Sequence, residues 1–149
     1  MTNTNKCNLT IPKLLYHGTA LFNYKYGIKD QGLNNQMLQK FPEHYKTVGY
    51  VFLTTSKEEA ERYGFIQALN ILNQKKEILE KRLASEEIIK KSIILGIRTK
   101  RYLNNISNDP EFGGNGWDSH TYRINCPINK KDIIPLKITN LLDEGDYYL

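Results

Sequence analysis

From Ser56 to Lys91 the chain carries apolar residues at helical spacing among charges, and short β-branched or aromatic runs lie on both sides of that block. The order restricts the fold. Long mid-chain helices with strands on both sides argue against a sandwich, so the chain reads as α+β. Ser56-Lys57-Glu58-Glu59 has capping-box form, with a hydroxyl to start the helix and a carboxylate three residues on. Behind it, Ala60, Tyr63, Ile66, Leu69 and Leu72 are expected on one buried face, and Gly64 permits a bend. Gln74 to Lys91 reads as a second helix or a long continuation, with a further short helix starting near Ser85.

Strands are expected on either side. Lys13 to Tyr16 is apolar and is halted by His17-Gly18-Thr19. Residues 20–30 suit a short helix or turn that ends at Gly32, before a polar loop through Pro42. Val48 to Leu53, Ser92 to Ile97 and Tyr122 to Ile124 read as strands. Ile133 to Ile138 is interrupted by Pro135, which suits an edge strand or a bend. Asn104 to Trp117, with Asp109-Pro110 and Gly113-Gly114, reads as a loop.

At 149 residues the chain fits one domain, residues 1–149, with the helical block at about 74–91 as an insertion. Cys7 and Cys126 lack metal-ligand spacing and are expected as reduced thiols, in keeping with a cytoplasmic location; no metal is expected. No run is long and apolar enough for a membrane span, so no membrane partner is expected. Residues 1–56 hold six lysines against two acids, a bias that favours polyanionic partners, pyrophosphate cofactors and nucleic acid included.

Three segments carry chemistry. In Leu15-Tyr16-His17-Gly18-Thr19, a glycine lets backbone approach a planar ligand, and His17 and Thr19 offer groups for ribose hydroxyls or phosphate. In Gly49 to Gly64, a strand delivers Thr54 and Thr55 to the mouth of a capped helix, whose second turn presents Tyr63 for stacking on a base or pyridinium. In Trp117 to Ile124, a polar turn with Asp118 and His120 runs into a strand, and an acid there can stabilise positive charge at an anomeric carbon. Glu111 and His44 are further candidates for the same site.

Taken in order, these segments resemble the motifs of the ADP-ribosyltransferase superfamily, which includes poly(ADP-ribose) polymerases, diphtheria-type toxins and RNA 2′-phosphotransferases. LYHGT is similar to the first NAD-binding motif and is followed by Gly32-Leu33. GYVFLTTSKEEAERYG is similar to the second, and HTYRINCPINKKDIIPL to the last. The likeness covers roughly residues 13–66 and 92–138, and it departs at Val51, where many relatives have tyrosine, and at the final glutamate, whose neighbourhood holds Asp118, Ser119 and His120.

The resemblance implies split antiparallel or mixed sheets around an NAD-binding cleft. It implies that His17 holds a ribose hydroxyl, that Gly18 meets the nicotinamide carboxamide, that Thr19 and Thr54 or Thr55 line the ribose, and that Tyr63 stacks on nicotinamide. Asp118 would then supply the catalytic charge, with His120 as its alternative or as a base toward the acceptor. The implied activity is transfer of ADP-ribose from NAD to a macromolecule, a protein first and nucleic acid second, as in a toxin, effector or phage-type modifier. Two other readings stand beside it: a catalytically inactive NAD- or nucleic-acid-binding module, and an RNA 2′-phosphotransferase-like enzyme. The last is disfavoured by the dozen or so residues before the first strand, where that family carries a basic domain.

Overall fold

A computed structural model of the chain describes residues 11–34, 51–108 and 121–141. The strands are β1 (Leu14–Ala20), β2 (Val51–Thr54), β3 (Lys91–Arg98), β4 (Ile106–Asn108), β5 (Thr121–Ile124) and β6 (Ile133–Asn140). They form one sheet in the order β4-β5-β2-β1-β3-β6, and every pairing is antiparallel. Helical turns at Leu21–Asn23, Tyr24–Ile28 and Lys29–Gln31 run on from one another as α1, with the middle stretch wound as a π-helix. The remaining helices are α2 (Lys57–Leu72), α3 (Lys75–Glu80) and α4 (Glu86–Ile89). The chain is therefore a mixed α/β fold built on a six-stranded antiparallel sheet.

The expected split or mixed sheets are replaced by one continuous sheet that is pinched in the middle. β1 pairs with β3 along its whole length, from Leu14↔Arg98 to Ala20↔Ser92. Against β2 it aligns at Tyr16↔Thr54 alone. The sheet is held together at that junction and opens beyond it.

Two faces follow from strand alternation. Leu15, Leu53, Ile93, Leu95, Ile97 and Ile124 point to the main core, which α1 and the β3–β4 and β5–β6 connections cover through Leu21, Ile28, Tyr102 and Ile128. Tyr16, Gly18 and Ala20 point to the other face, beneath α2. There Ala20 joins a smaller core with Ala68, Ile71, Ile78, Ile89 and Leu141.

The buried face of α2 departs from expectation. Ala60, Gly64, Ala68 and Ile71 are buried, whereas Tyr63, Ile66 and Leu69 are exposed. Small residues at four-residue spacing let the helix backbone come close to β1, and that contact outweighs the larger apolar side chains. A Cβ built on Gly18 would lie 1.6 Å from the Ala60 carbonyl oxygen, and one on Gly64 would lie 3.3 Å from both Thr19 N and Thr19 O. Gly64 therefore serves close approach, with no break in α2. Gly18 likewise sits inside β1, so His17-Gly18-Thr19 continue the strand they were expected to halt.

Other boundaries are local. Gly32 caps α1 at φ 81° and ψ −175°, a region open to glycine, and Leu33 exchanges backbone hydrogen bonds with Ile128. This bridge ties the end of the first motif to the last. α2 ends at Leu72, so the helical block is not one long helix. Ile106 opens a short strand within the expected loop at 104–117, and residues 109–117 of that loop lie outside the described residues. β6 is an exposed edge whose register shifts opposite Ile94/Leu95, beside Pro135, as a proline in an edge strand requires.

The β5–β6 connection is pinned by a buried polar cluster. The Tyr102 hydroxyl donates to Asp132 Oδ2 at 2.6 Å and accepts from the Asn129 N–H at 2.7 Å, while Arg101 Nε donates to the same carboxylate oxygen at 2.9 Å. Burial and the carboxylate push the Tyr102 phenol up to about 12, so it stays a donor at any working pH.

Two stability predictions follow from this packing. Gly18→Ala forces α2 off the sheet and is expected to cost more than about 3 kcal/mol or prevent folding, whereas Gly27→Ala, with nothing within 4 Å, stays within about 1 kcal/mol of wild type in urea denaturation. Tyr102→Phe leaves the Asn129 N–H without its acceptor and Asp132 Oδ2 with only its bond from Arg101, and is expected to cost about 1–3 kcal/mol in the same measurement.

Candidate functional site

The site is built where β2 leaves β1. Thr99 N–H donates to the Lys13 carbonyl, which sets the phase of the β1–β3 ladder: Lys13, Leu15, His17 and Thr19 direct their backbone groups to β3. Leu14, Tyr16 and Gly18 then direct theirs toward β2. Of these only Tyr16 has a β2 residue in register, so the backbone edge of Gly18 lies past the end of that ladder.

His17 spans the opening. Its Nδ1 is 2.9 Å from the Phe52 carbonyl oxygen on β2. A carbonyl only accepts, so Nδ1 carries the proton and Nε2 carries the lone pair. The residue as a whole is half-buried, yet its imidazole is packed among protein atoms, and that desolvation lowers its pKa from the usual 6.5 against the smaller opposing effect of the Phe52 carbonyl. The bond thus fixes the tautomer, burial disfavours the charged form, and Nε2 carries a lone pair able to accept a hydrogen bond.

Tyr63 lies on the other side of the opening. One residue on from Ala60, α2 turns Glu61 toward β6, where its Oε2 meets Thr139 Oγ1 at 3.0 Å and Lys137 Nζ at 3.4 Å. Three residues on from Ala60, Tyr63 occupies the opposite flank, above β2. Glu59, on that same flank, receives the Thr54 hydroxyl at 3.4 Å. Tyr63 is 38% exposed, so it is not a core position of its helix. His17 and Tyr63 thus approach the opening from opposite faces of the sheet.

The threonines divide. Thr54 is buried, and its hydroxyl accepts from the Ser56 N–H at 3.0 Å while it reaches Glu59. Ser56 Oγ in turn accepts from the Glu59 N–H at 3.1 Å. The capping box is therefore closed through Thr54, with no direct return from the Glu59 carboxylate to the Ser56 N–H. Thr19 is buried, and its Oγ1 accepts from Asn23 Nδ2 at 3.2 Å. Both hydroxyls are engaged within the fold. Thr55 is half-buried at the turn between β2 and α2.

Asp118, His120, Glu111 and His44 lie outside the described residues. The segment that carries Asp118 and His120 joins the sheet at Thr121, which is in register with Thr54. Arg123, half-buried on β5 opposite Phe52, and Lys57, whose ammonium lies 5.5 Å from the centroid of the Tyr16 ring, add positive charge near the junction. Sequence reading passed over both. An Arg two residues into a strand that borders the second motif is the signal available for the first. Among the described residues no group of three or more His, Cys, Asp and Glu could hold a metal ion, and no helix is long and apolar enough to cross a membrane. Cys126 is a free, half-buried thiol whose pKa burial raises.

Searches against protein-family models and against curated proteins find no match for this chain.

The lowered pKa of His17 has a thermodynamic consequence. As pH falls through 6.5, the unfolded chain takes up a proton that the folded chain resists, so this residue's contribution is full above that pH and turns against folding below it. Wild type is expected to lose more stability between about pH 7.5 and about pH 5.5 than His17→Gln does, read from urea midpoints; equal losses would remove His17 as the source.

Proposed function

We propose that the chain binds NAD at the β1–β2 opening and transfers ADP-ribose to a macromolecular acceptor, a protein in the first instance. The observation that carries the reading is the single-residue junction at Tyr16↔Thr54, with His17 on one face and an exposed Tyr63 on the other. The order of the three motifs supports it as well.

The residues present suit such a ligand. His17 Nε2 accepts from a ribose hydroxyl. The backbone of Gly18, past the β2 ladder, offers a donor and an acceptor matched to a carboxamide. The Tyr63 ring provides a stacking surface for a cationic pyridinium, an arrangement commonly worth about 0.5–2 kcal/mol. Thr19 and Thr54 contribute by fixing the neighbouring turns, and Thr55 stands half-buried at the turn between β2 and α2.

NAD supplies an activated glycosidic bond: the C1′–N bond breaks with its electron pair leaving on nicotinamide, and an acceptor nucleophile bonds to C1′ and releases its proton. Asp118 would stabilise the positive charge that develops on the sugar, an effect of about 3–4 kcal/mol where comparable groups are removed. His120 would take the acceptor's proton.

Isothermal titration with NAD, paired with transfer of label from labelled NAD to a cell extract, tests the reading. Saturable binding and labelled macromolecules are expected from wild type. His17→Ala and Tyr63→Ala should each weaken NAD binding by roughly tenfold, the loss of one hydrogen bond or one stacked ring, while Tyr63→Phe keeps it. Asp118→Asn should abolish transfer with binding intact. Binding without transfer by wild type would identify a non-catalytic module, and absence of binding would refute the proposal.

A further inference from the structure

We infer that the end of the sheet where β1 begins binds the phosphodiester backbone of a nucleic acid. Lys13, Arg98, Lys100, Arg101, Lys130 and Lys131 converge there, all exposed, although they come from three separate parts of the chain. The contacts that gather them are specific. Lys13 is bonded through its carbonyl to the Thr99 N–H. Arg98 Nη1 donates to the Lys131 carbonyl at 3.1 Å, and Arg101 is tied to Asp132 beside Lys130 and Lys131.

What marks this edge is that cations from separate segments meet there. Of these only Arg101 has an ion-pair partner among the described residues, and that partner, Asp132, is buried and shared with Tyr102. Lys75, Lys81, Lys90, Lys91 and Lys137 are in ion pairs with glutamates, and Lys25, Lys29, Lys57, Arg62, Lys76 and Arg82, which have none among the described residues, lie on or beside the helices α1, α2 and α3. The gathering is tertiary, since Lys13, Arg98 to Arg101 and Lys130-Lys131 stand far apart in the chain. Repulsion among clustered cations costs stability, and a regularly spaced polyanion relieves it by releasing its condensed counterions. Lys100, Arg101, Lys130 and Lys131 sit on short turns at Lys100–Tyr102 and Lys130–Asp132, which the Arg101–Asp132 and Tyr102–Asp132 bonds tie together. The surface lies at the start of β1, on the other side of Tyr16 from Gly18, and does not depend on the NAD proposal.

Fluorescence anisotropy with labelled single-stranded RNA and DNA of the same sequence, about 20 nucleotides long, tests the inference across a salt series, beside vesicles of phosphatidylserine and phosphatidylcholine. The variant Lys100→Gln, Lys130→Gln, Lys131→Gln keeps Arg98 and Arg101 and so leaves the structural contacts in place. A control, Lys25→Gln, Lys76→Gln, Lys81→Gln, removes the same charge elsewhere. Wild type is expected to bind at least one of the two nucleic acids at about 50 mM salt. The edge variant should lose at least about tenfold in affinity, its salt slope should fall by about 2, and the control should stay within about twofold of wild type. The RNA and DNA arms report which backbone is preferred. Equal loss in both variants, no binding to either nucleic acid, or tighter binding to anionic vesicles through the same lysines would overturn it. Unchanged thermal melts in the variants show that loss of folding is not the cause.

Discussion

The contact of α2 with β1 is the constraint on which the rest depends. Gly18, Ala60 and Gly64 have almost no side chain between them, so helix and strand meet backbone to backbone. That closeness fixes the height of α2 over the sheet, and with it the flank from which Tyr63 emerges. It also explains why the apolar stripe Tyr63, Ile66 and Leu69 faces outward: the small-residue ridge has claimed the inward side. Once α2 is seated, the Ser56 cap, closed through Thr54 and Glu59, anchors its start to the end of β2.

The second constraint is the junction between β1 and β2. A sheet that opens after one aligned pair leaves backbone groups without their ladder, and these must be met by side chains, solvent or a ligand. His17 meets one of them, the Phe52 carbonyl, a bond that fixes its tautomer, while burial of the ring lowers its pKa. His17 lies on the main-core face of the sheet and Tyr63 on the α2 flank, so the two side chains reach the junction from different sides.

Much of this was legible in the residues. The capped helix after β2, the strand at Ser92–Ile97, the edge strand broken at Pro135 and the turn at Gly32 all came from local chemistry: a hydroxyl at an N-cap, a β-branched run, a missing N–H, a positive φ. What stayed hidden was tertiary. Gly18 reads as a strand stop because glycine ends strands, and nothing local says that a helix backbone passes within contact distance of it. Gly64 reads as a bend for the same reason. The face of α2 was misassigned because periodicity weighs apolar size and does not register close packing of small residues. The partner of His17 is a backbone carbonyl 35 residues away, which no side-chain pattern can announce. The Tyr102–Asp132–Arg101 cluster and the cationic edge likewise exist only once two connections are brought together.

The central claim is that the β1–β2 opening is a dinucleotide site, and a ¹H–¹⁵N spectrum recorded during titration with NAD tests it at the residues concerned. The account predicts saturable shifts of the Gly18, Thr19 and Tyr63 amides together with the His17 Nε2 resonance, with the Lys100–Lys131 edge unmoved. Shifts confined to that edge, or none at Gly18 and His17 at saturating NAD, would contradict it.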